Sequence, residues 1–560
     1  MRHAVLAFLL VIAFPLNAKT PPAAAIASAH PLATQAGFDI LDAGGNAFDA
    51  AVAVAAVLAV VEPYSAGMGG GGFWLLHRAS DQHEVMLDAR ETAPAAATAD
   101  MYQDEDGTVV RDWAINGPAA AGIPGQAEAF AHLAAGYGRL PLADVLAPAI
   151  RIAREGFAVD DHYRKLANYR KDALNRFPQA RAIFLTNGEV PHTGYLLQQP
   201  DLAGVLEAIA ANGRDGFYAG EVAKKLVEGV QFNGGLWTLD DLKNYRVIER
   251  APVVGSFRGA RIVSAAPPSS GGVVLLEALA ILDQVTDGST SEADFTHRAV
   301  EAMRRAYRDR ALYLGDPDFV SMPLEKLLSS DYAAAQAATI DARRATPSDS
   351  LGDPVTVQQG NHTTHLSVLD MEGNRVSATL SINLPFGSAF VPAGTGVVLN
   401  NEMDDFSAKP GVPNAYGLVG SEANAIAPGK RPLSSMTPTF VEFDNKVAIL
   451  GTPGGSRIIS MVMLGVIEAL KGTPPQQWVS APRFHHQYLP DRVHAEPSFV
   501  GGELAKSLRL KGHQVDSTGR PYGNMQAILW DSAAGTVQAA ADPRAIGKSK
   551  VRPTRPRDLP

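Results

Sequence analysis

Cysteine is absent from all 560 residues. That excludes disulfides, zinc thiolates, iron–sulfur clusters, a thiol nucleophile and a lipid-modified cysteine. Long apolar runs are missing too: beyond the first residues, no stretch reaches the roughly 20 uninterrupted apolar positions that a membrane-spanning helix needs. Like charges form no block. The net charge of −9 comes without any concentrated basic face, which argues against nucleic acid as a partner. What the chain does contain is a hydrophobic fraction of 46% broken up by 52 glycines and 38 prolines. This is the composition of a loop-rich globular enzyme whose core is too large for one small domain.

The opening MRHAVLAFLLVIAFPLNAKT sets Arg2 and His3 ahead of an apolar run, Ala4 to Phe14, which Pro15 breaks before small residues near Ala18. That is the build of a secretory signal peptide over residues 1–18 and predicts a periplasmic or secreted protein with no membrane anchor. Residues 34–62 predict two helices separated by Gly44-Gly45, the second apolar nearly all round and therefore buried. GMGGGGFWLLH (67–77) predicts a glycine run entering a strand. Helical patches recur over 126–240, at 201–213 among others, and again at 271–283 and 292–314.

Between Ala334 and Gly360 the composition turns to Ala, Ser, Asp, Pro and Thr without apolar periodicity, which predicts an exposed, flexible segment. The texture changes at Thr363. THLSVLD, the turn MEGN and RVSATLSI alternate as a β-hairpin. Further strands are predicted at VVLN (397–400), TFVEFD (439–444) and KVAIL (446–450), and a helix at LGVIEALKG ending on Gly472. Strands and helices mixed through both halves imply a layered α/β or α+β architecture.

Several motifs carry less than they promise. Gly67-Met68-Gly69-Gly70-Gly71-Gly72 satisfies G-x-G-x-x-G, but a strand follows where dinucleotide binding needs a helix, so close backbone packing is the reading. Gly451-Thr452-Pro453-Gly454-Gly455-Ser456 lacks the Gly-Lys-Ser/Thr end of a phosphate loop. Asp104-Glu105-Asp106-Gly107 reads as a hairpin turn, since the terminal bidentate glutamate of a calcium loop is missing. His485-His486 are adjacent, so on a strand their rings face opposite ways, and no metal or cofactor is expected. Asn361-His362-Thr363 matches a glycosylation sequon, which is set aside because Thr363 has a better role.

A hydroxyl is a weak nucleophile and needs a base beside it. A threonine at a newly made N-terminus supplies its own: the α-amine titrates at about 7.7–8.0 and can take the hydroxyl proton. Thr363 lies between the segment ending at Gly360 and the strand beginning at Thr364, where such a cut would fall. Polar clusters follow it: Ser381-Ile382-Asn383, Asn400 to Asp405, Pro432 to Met436, and the turn Pro453 to Arg457, read as flexible. Two carboxylates suit an ammonium group, paired serines a carboxylate, and adjacent glycine N–H groups an oxyanion. Together they outline a pocket for a zwitterion beside a carbonyl.

Thr363-Thr364-His365, NNEMDDFSAKPGVPNAYGLVG (400–420), KRPLSSMTPTF (430–440), GTPGGSR (451–457) and APRFHHQ (481–487) closely resemble the γ-glutamyltranspeptidases, or glutathione hydrolases. AHPLATQAGFDILDAGGNAFDAAVA, GMGGGGF and LDARETAP resemble that family's amino-terminal portion, so the likeness runs through nearly the whole chain after residue 18. The resemblance implies an α+β fold, a four-layer αββα sandwich of the N-terminal-nucleophile hydrolases. It implies autocatalytic cleavage between His362 and Thr363, giving a large fragment (19–362) and a small one (363–560) that remain together as a heterodimer.

It also implies site roles. Thr363 attacks the γ-carbonyl of glutathione or another γ-glutamyl amide, and Ser381, where a threonine is common, supports it. Gly454 and Gly455 form the oxyanion hole. Arg90, Ser434 and Ser435 hold the substrate α-carboxylate at one end, and Asn383, Glu402 and Asp405 its α-ammonium at the other. Tyr416 gates a lid over 410–420. The competing readings are another amidase on the same scaffold, such as a cephalosporin acylase, and an uncleaved periplasmic binding protein for small zwitterions.

Overall fold

The computed structural model describes residues 20–352, 363–409 and 421–554. The expected signal peptide, His362 and Tyr416 with its 410–420 loop therefore lie outside the described residues.

Two sheets stack face to face. The first has seven strands, ordered 548–552, 24–28, 364–369, 375–381, 71–78, 83–89 and 248–250. The second has six, ordered 536–541, 526–531, 446–451, 439–443, 260–264 and 253–257. Every neighbouring pair for which a register is given in these two sheets is antiparallel. Period-two alternation decides which way each side chain goes. Ala25 and Ala27 face Val263, Phe440, Ile449 and Ile528 in the layer between the sheets. Ala24 and Ile26, one residue out of step, face the helices on the other side.

The outer layers are helical. Ala47–Val61 is buried along its whole length against the first sheet, as its all-round apolarity predicts, and it begins with a capping box between Asn46 and Asp49. Gly271–Val285, Glu292–Tyr313 and Ile458–Leu470 cover the second sheet. The result is helix, sheet, sheet, helix: the expected four-layer αββα sandwich. No helix among the described residues is long and apolar enough to cross a membrane.

The glycine run at 69–72 does what close packing requires. A Cβ on Gly70 would sit 2.2 Å from the Ser381 carbonyl oxygen, and one on Gly71 2.1 Å from that of Ala89. Only a residue without a side chain lets the three backbones approach.

Three expectations change. Residues 334–352 are mostly exposed, as expected, but ordered rather than flexible, while 353–360 lie outside the described residues: Ser330–Ala337 is helical, and the chain beyond it docks on the polar face of helix Glu292–Tyr313. Arg305 donates to the Thr339 hydroxyl at 2.8 Å, Arg304 to that of buried Ser348 at 2.6 Å, and His297 pairs with the Asp341 carbonyl at 2.8 Å. These anchors are hydrogen bonds to buried arginines, so no apolar period marks them. VVLN (397–400) forms one isolated bridge, Leu399 to Gly69, and no strand. The turn Pro453 to Arg457 is buried or half-buried throughout and fixed at the start of helix Ile458–Leu470, with positive φ at Gly454 (149°) and Gly455 (56°).

Candidate active site

The hairpin register builds the centre of the site. Thr364 pairs with Leu380, which sets Thr363 beside Ser381 at the open end of the ladder. The Thr363 hydroxyl donates to Ser381 Oγ at 3.4 Å, and Ser381 Oγ also accepts the Asn383 N–H at 2.8 Å. Thr363 is 7% exposed, so its hydroxyl faces a confined space rather than bulk water.

That space is a narrow cleft whose lining includes Thr363, Ser381, Asn383, Arg90, Glu402, Asp405, Ser434, Ser435 and Gly455. These residues come from six separate stretches of sequence, and the fold brings them together. Gly454 lines the other side of Thr363, in a neighbouring cavity. Both glycines sit at the N-terminus of helix Ile458–Leu470, where backbone N–H groups have no helical partner and negative charge is favoured.

The charged groups interlock rather than dividing into two ends. Arg90 is 1% exposed and donates to Glu402 Oε2 at 2.6 Å and Asp405 Oδ2 at 2.5 Å. Its Nε donates to the Pro432 carbonyl at 3.1 Å, which ties the arginine to the loop carrying Ser434 and Ser435. Asn400 holds the acidic turn in place, accepting the Glu402 N–H at 2.9 Å and donating to the carbonyls of Gly69 and Gly122. Burial pushes the Glu402 carboxyl up to about 7, against the pull of Arg90. Burial also works against the Arg90 cation, but Glu402 and Asp405 outweigh it and hold the guanidinium charged.

Sequence reasoning missed three groups. Arg310, buried on helix Glu292–Tyr313, donates to Ser435 Oγ at 3.2 Å and to Ser270 Oγ at 2.8 Å. Among the described residues no carboxylate pairs with it, and burial lowers it to about 10. It sets a second cation behind the paired serines. Glu91 is fully buried beside Arg90 at 3.6 Å, and burial pushes its carboxyl well above the usual carboxylate range. Glu62 is 2% exposed, accepts the Thr364 hydroxyl at 2.8 Å, and is pushed by burial up to about 7. Arg310 and Glu62 end or follow helical runs whose pattern reports burial but not what a charged residue meets there.

The buried pair His485 and His486 is accounted for by hydrogen bonds. His485 pairs with Ser460 at 2.9 Å and Gln487 at 2.8 Å, and His486 with Asp491 at 3.3 Å. Burial pushes both rings well below the usual imidazole range.

A stacked pair of antiparallel sheets between helical layers, with a threonine opening a central strand and glycine N–H groups beside it, defines an N-terminal-nucleophile hydrolase. The solved structures agree: a cephalosporin acylase from Bacillus halodurans superposes with a TM-score of 0.83 at 30% identity, covering 98% of this chain and 99% of that one. The gamma-glutamyltranspeptidase family profile matches residues 33–551, and the chain belongs to that family. Its relatives include the glutathione hydrolase proenzyme of Escherichia coli (strain K12), 42% identical over 527 residues that make up 93% of this chain and 90% of the relative. A Helicobacter pylori gamma-glutamyltranspeptidase chain aligns with a TM-score of 0.56 at 38% identity, covering 58% of this chain and 94% of its own length.

Proposed function

We propose that this chain is a γ-glutamyltransferase and glutathione hydrolase that matures by cutting itself between His362 and Thr363. The small fragment, 363–560, then begins with the nucleophile, and the large one ends at residue 362. Both sheets draw strands from either side of Thr363, so the fragments share one core and stay together. That the Helicobacter pylori chain spans 94% of its own length but only 58% of this one supports a processed arrangement.

In the mature protein the Thr363 α-amine takes the hydroxyl proton, and Oγ attacks the γ-carbonyl of a γ-glutamyl amide. Ser381 orients the hydroxyl. The oxyanion meets the Gly454 and Gly455 N–H groups, preorganised at a helix N-terminus. Breakdown releases the amine and leaves a γ-glutamyl ester on Thr363, which water or an incoming amine resolves. Arg90, Ser434 and Ser435 receive the α-carboxylate, with Arg310 reinforcing Ser435. Asn383, Glu402 and Asp405 receive the α-ammonium. The basic start and apolar run ahead of Ala18 support export to the periplasm.

The observation that carries this reading is the Thr363–Ser381 pair opening onto a cleft that also holds the Arg90–Glu402–Asp405 cluster. The test is intact mass of the purified protein, N-terminal sequencing of the smaller fragment, and turnover of glutathione. Two fragments, the smaller beginning Thr-Thr-His, are expected with turnover. A single polypeptide consuming glutathione would overturn it.

The likeness to the Bacillus halodurans acylase favours a second reading, cleavage of amides whose acyl chain has no α-ammonium. Glu402 and Asp405 would then lack a partner among the substrate's groups. Faster turnover of a glutaryl amide than of the matching γ-glutamyl amide would put this reading first.

A further inference from the structure

The serine pair in the cleft is held from behind by Arg310. Its Nε donates to Ser270 Oγ at 2.8 Å, and Ser270 passes the contact on, because its hydroxyl and its N–H both donate to the Ser434 carbonyl, at 2.7 and 2.8 Å. Nη2 of the same guanidinium donates to Ser435 Oγ at 3.2 Å. One buried side chain thus fixes both serines, Ser434 through its backbone and Ser435 through its hydroxyl.

The direction of these bonds decides what the serines can offer. Arginine carries donors only, so Ser435 Oγ accepts from it and keeps its own proton for another partner. Ser434 Oγ likewise accepts, from the Met436 N–H at 3.1 Å. Among the described residues neither serine hydroxyl donates to a protein acceptor, and both residues line the cleft with Thr363. Two neighbouring O–H donors suit the two oxygens of a carboxylate.

Charge divides in the same way. Arg90 is bonded to Glu402 and Asp405, so an anion that approaches it also meets two acids. Arg310 has hydroxyl partners and, among the described residues, no carboxylate bonded to it; Asp405 attracts it from further off. Burial lowers it to about 10, which leaves it a cation through neutral pH. A buried cation facing only neutral groups is costly, and an anion bound at the serines would offset that cost.

We propose that Arg310 makes this protein select acyl donors that carry an α-carboxylate: acting through Ser270 and Ser435, it aims both serine hydroxyls and supplies the positive charge that the carboxylate balances. The inference rests on the reading of the cleft as the γ-glutamyl site. Arg310 is a positioning residue, one layer behind the groups that meet the donor.

The test uses the mature two-fragment enzyme with Arg310→Gln, Arg310→Lys, Ser435→Ala and the double variant Arg310→Gln/Ser435→Ala. Two donors are compared, γ-glutamyl anilide and 4-aminobutyryl anilide, which differ only in the α-carboxylate. The readout is the ratio of their kcat/KM values, expected to be well above one in the native enzyme. Arg310→Gln should lower the ratio about tenfold or more, through KM for the γ-glutamyl anilide with kcat nearly kept. Arg310→Lys keeps the charge but not both bonds, so it should lower the ratio less; it carries the comparison if Arg310→Gln does not yield both fragments on a denaturing gel. The double variant should lose less than the product of the two single losses, because the arginine works partly through Ser435. A native ratio of one, a ratio unchanged in both Arg310 variants, equal losses on the two donors, or fully multiplicative losses in the double variant would overturn the proposal. Failure of the native protein to cleave the γ-glutamyl anilide would instead overturn the proposed function, and this role with it.

Discussion

Asp405→Asn tests the charge arrangement most directly. Asp405 Oδ2 lies 2.5 Å from Arg90 Nη2, and among the described residues Glu402 is the other carboxylate hydrogen-bonded to Arg90. The proposed substrate ammonium uses the same carboxylate. Asparagine keeps the shape and one acceptor oxygen but removes the charge. Removing one partner of a buried, hydrogen-bonded charge pair costs about 2–5 kcal/mol. At about 1.4 kcal/mol per tenfold, the lower end of that range is roughly a 30-fold loss of donor affinity. The lower end is the appropriate one, because asparagine retains a dipole and the Asp405 side chain is 13% exposed.

The assay is steady-state kinetics on two anilides that differ only in the α-amino group, γ-glutamyl and glutaryl. KM for the first should rise at least about 30-fold, while the second, with no ammonium to lose, changes far less. A thermal melt alongside isolates the structural part, since Arg90 also loses a partner; a hydrogen bond to a charged group is worth about 1.5–3 kcal/mol. An unchanged KM for the γ-glutamyl anilide, or equal losses on both substrates, would refute the assignment of Asp405 to the ammonium.

Three further perturbations follow from the same geometry. Thr363→Ala should leave one uncut chain without turnover, because one hydroxyl serves both steps; normal fragments on a denaturing gel would remove Thr363 from the mechanism. In that uncut background, Glu62→Gln should flatten the pH dependence of stability. Burial raises the folded Glu62 carboxyl from 4.5 to about 7, so the folded state holds the proton longer and loses stability as pH climbs between those values. The span corresponds to up to about 3 kcal/mol, seen as a melting temperature that gains on the parent from pH 4.5 to 7; parallel curves would contradict it. Gly451→Ala should destabilise by about 2 kcal/mol or more, since its Cβ would lie 2.2 Å from the buried His365 ring within a paired strand. A denaturation midpoint equal to the parent's would show that the ring yields at no cost.

Some of this was legible before any coordinates. The helices at 31–42 and 47–61, the hairpin 364–381 and the helix ending near Gly472 are written in periodicities of 3.6 and 2, which depend on neighbours along the chain. So is the place of Thr363 at a strand start, and the need for glycine at 69–72 followed from the strand that continues from it. The motif likeness carried the αββα expectation, and the stacked sheets meet it.

The remainder depended on contacts between distant residues. Arg90 meets Glu402 across 312 positions, which turns two expected binding ends into one interlocked cluster. Arg310 and Glu62 look like ordinary charged residues until burial strips away water and leaves each with hydroxyl partners beside the nucleophile. Segment 334–352 reads as loose because its anchors are hydrogen bonds to Arg304 and Arg305, and hydrogen bonding leaves no period in the sequence. Local pattern fixes which face of an element is buried; what a buried charge meets is decided by which elements pack against it.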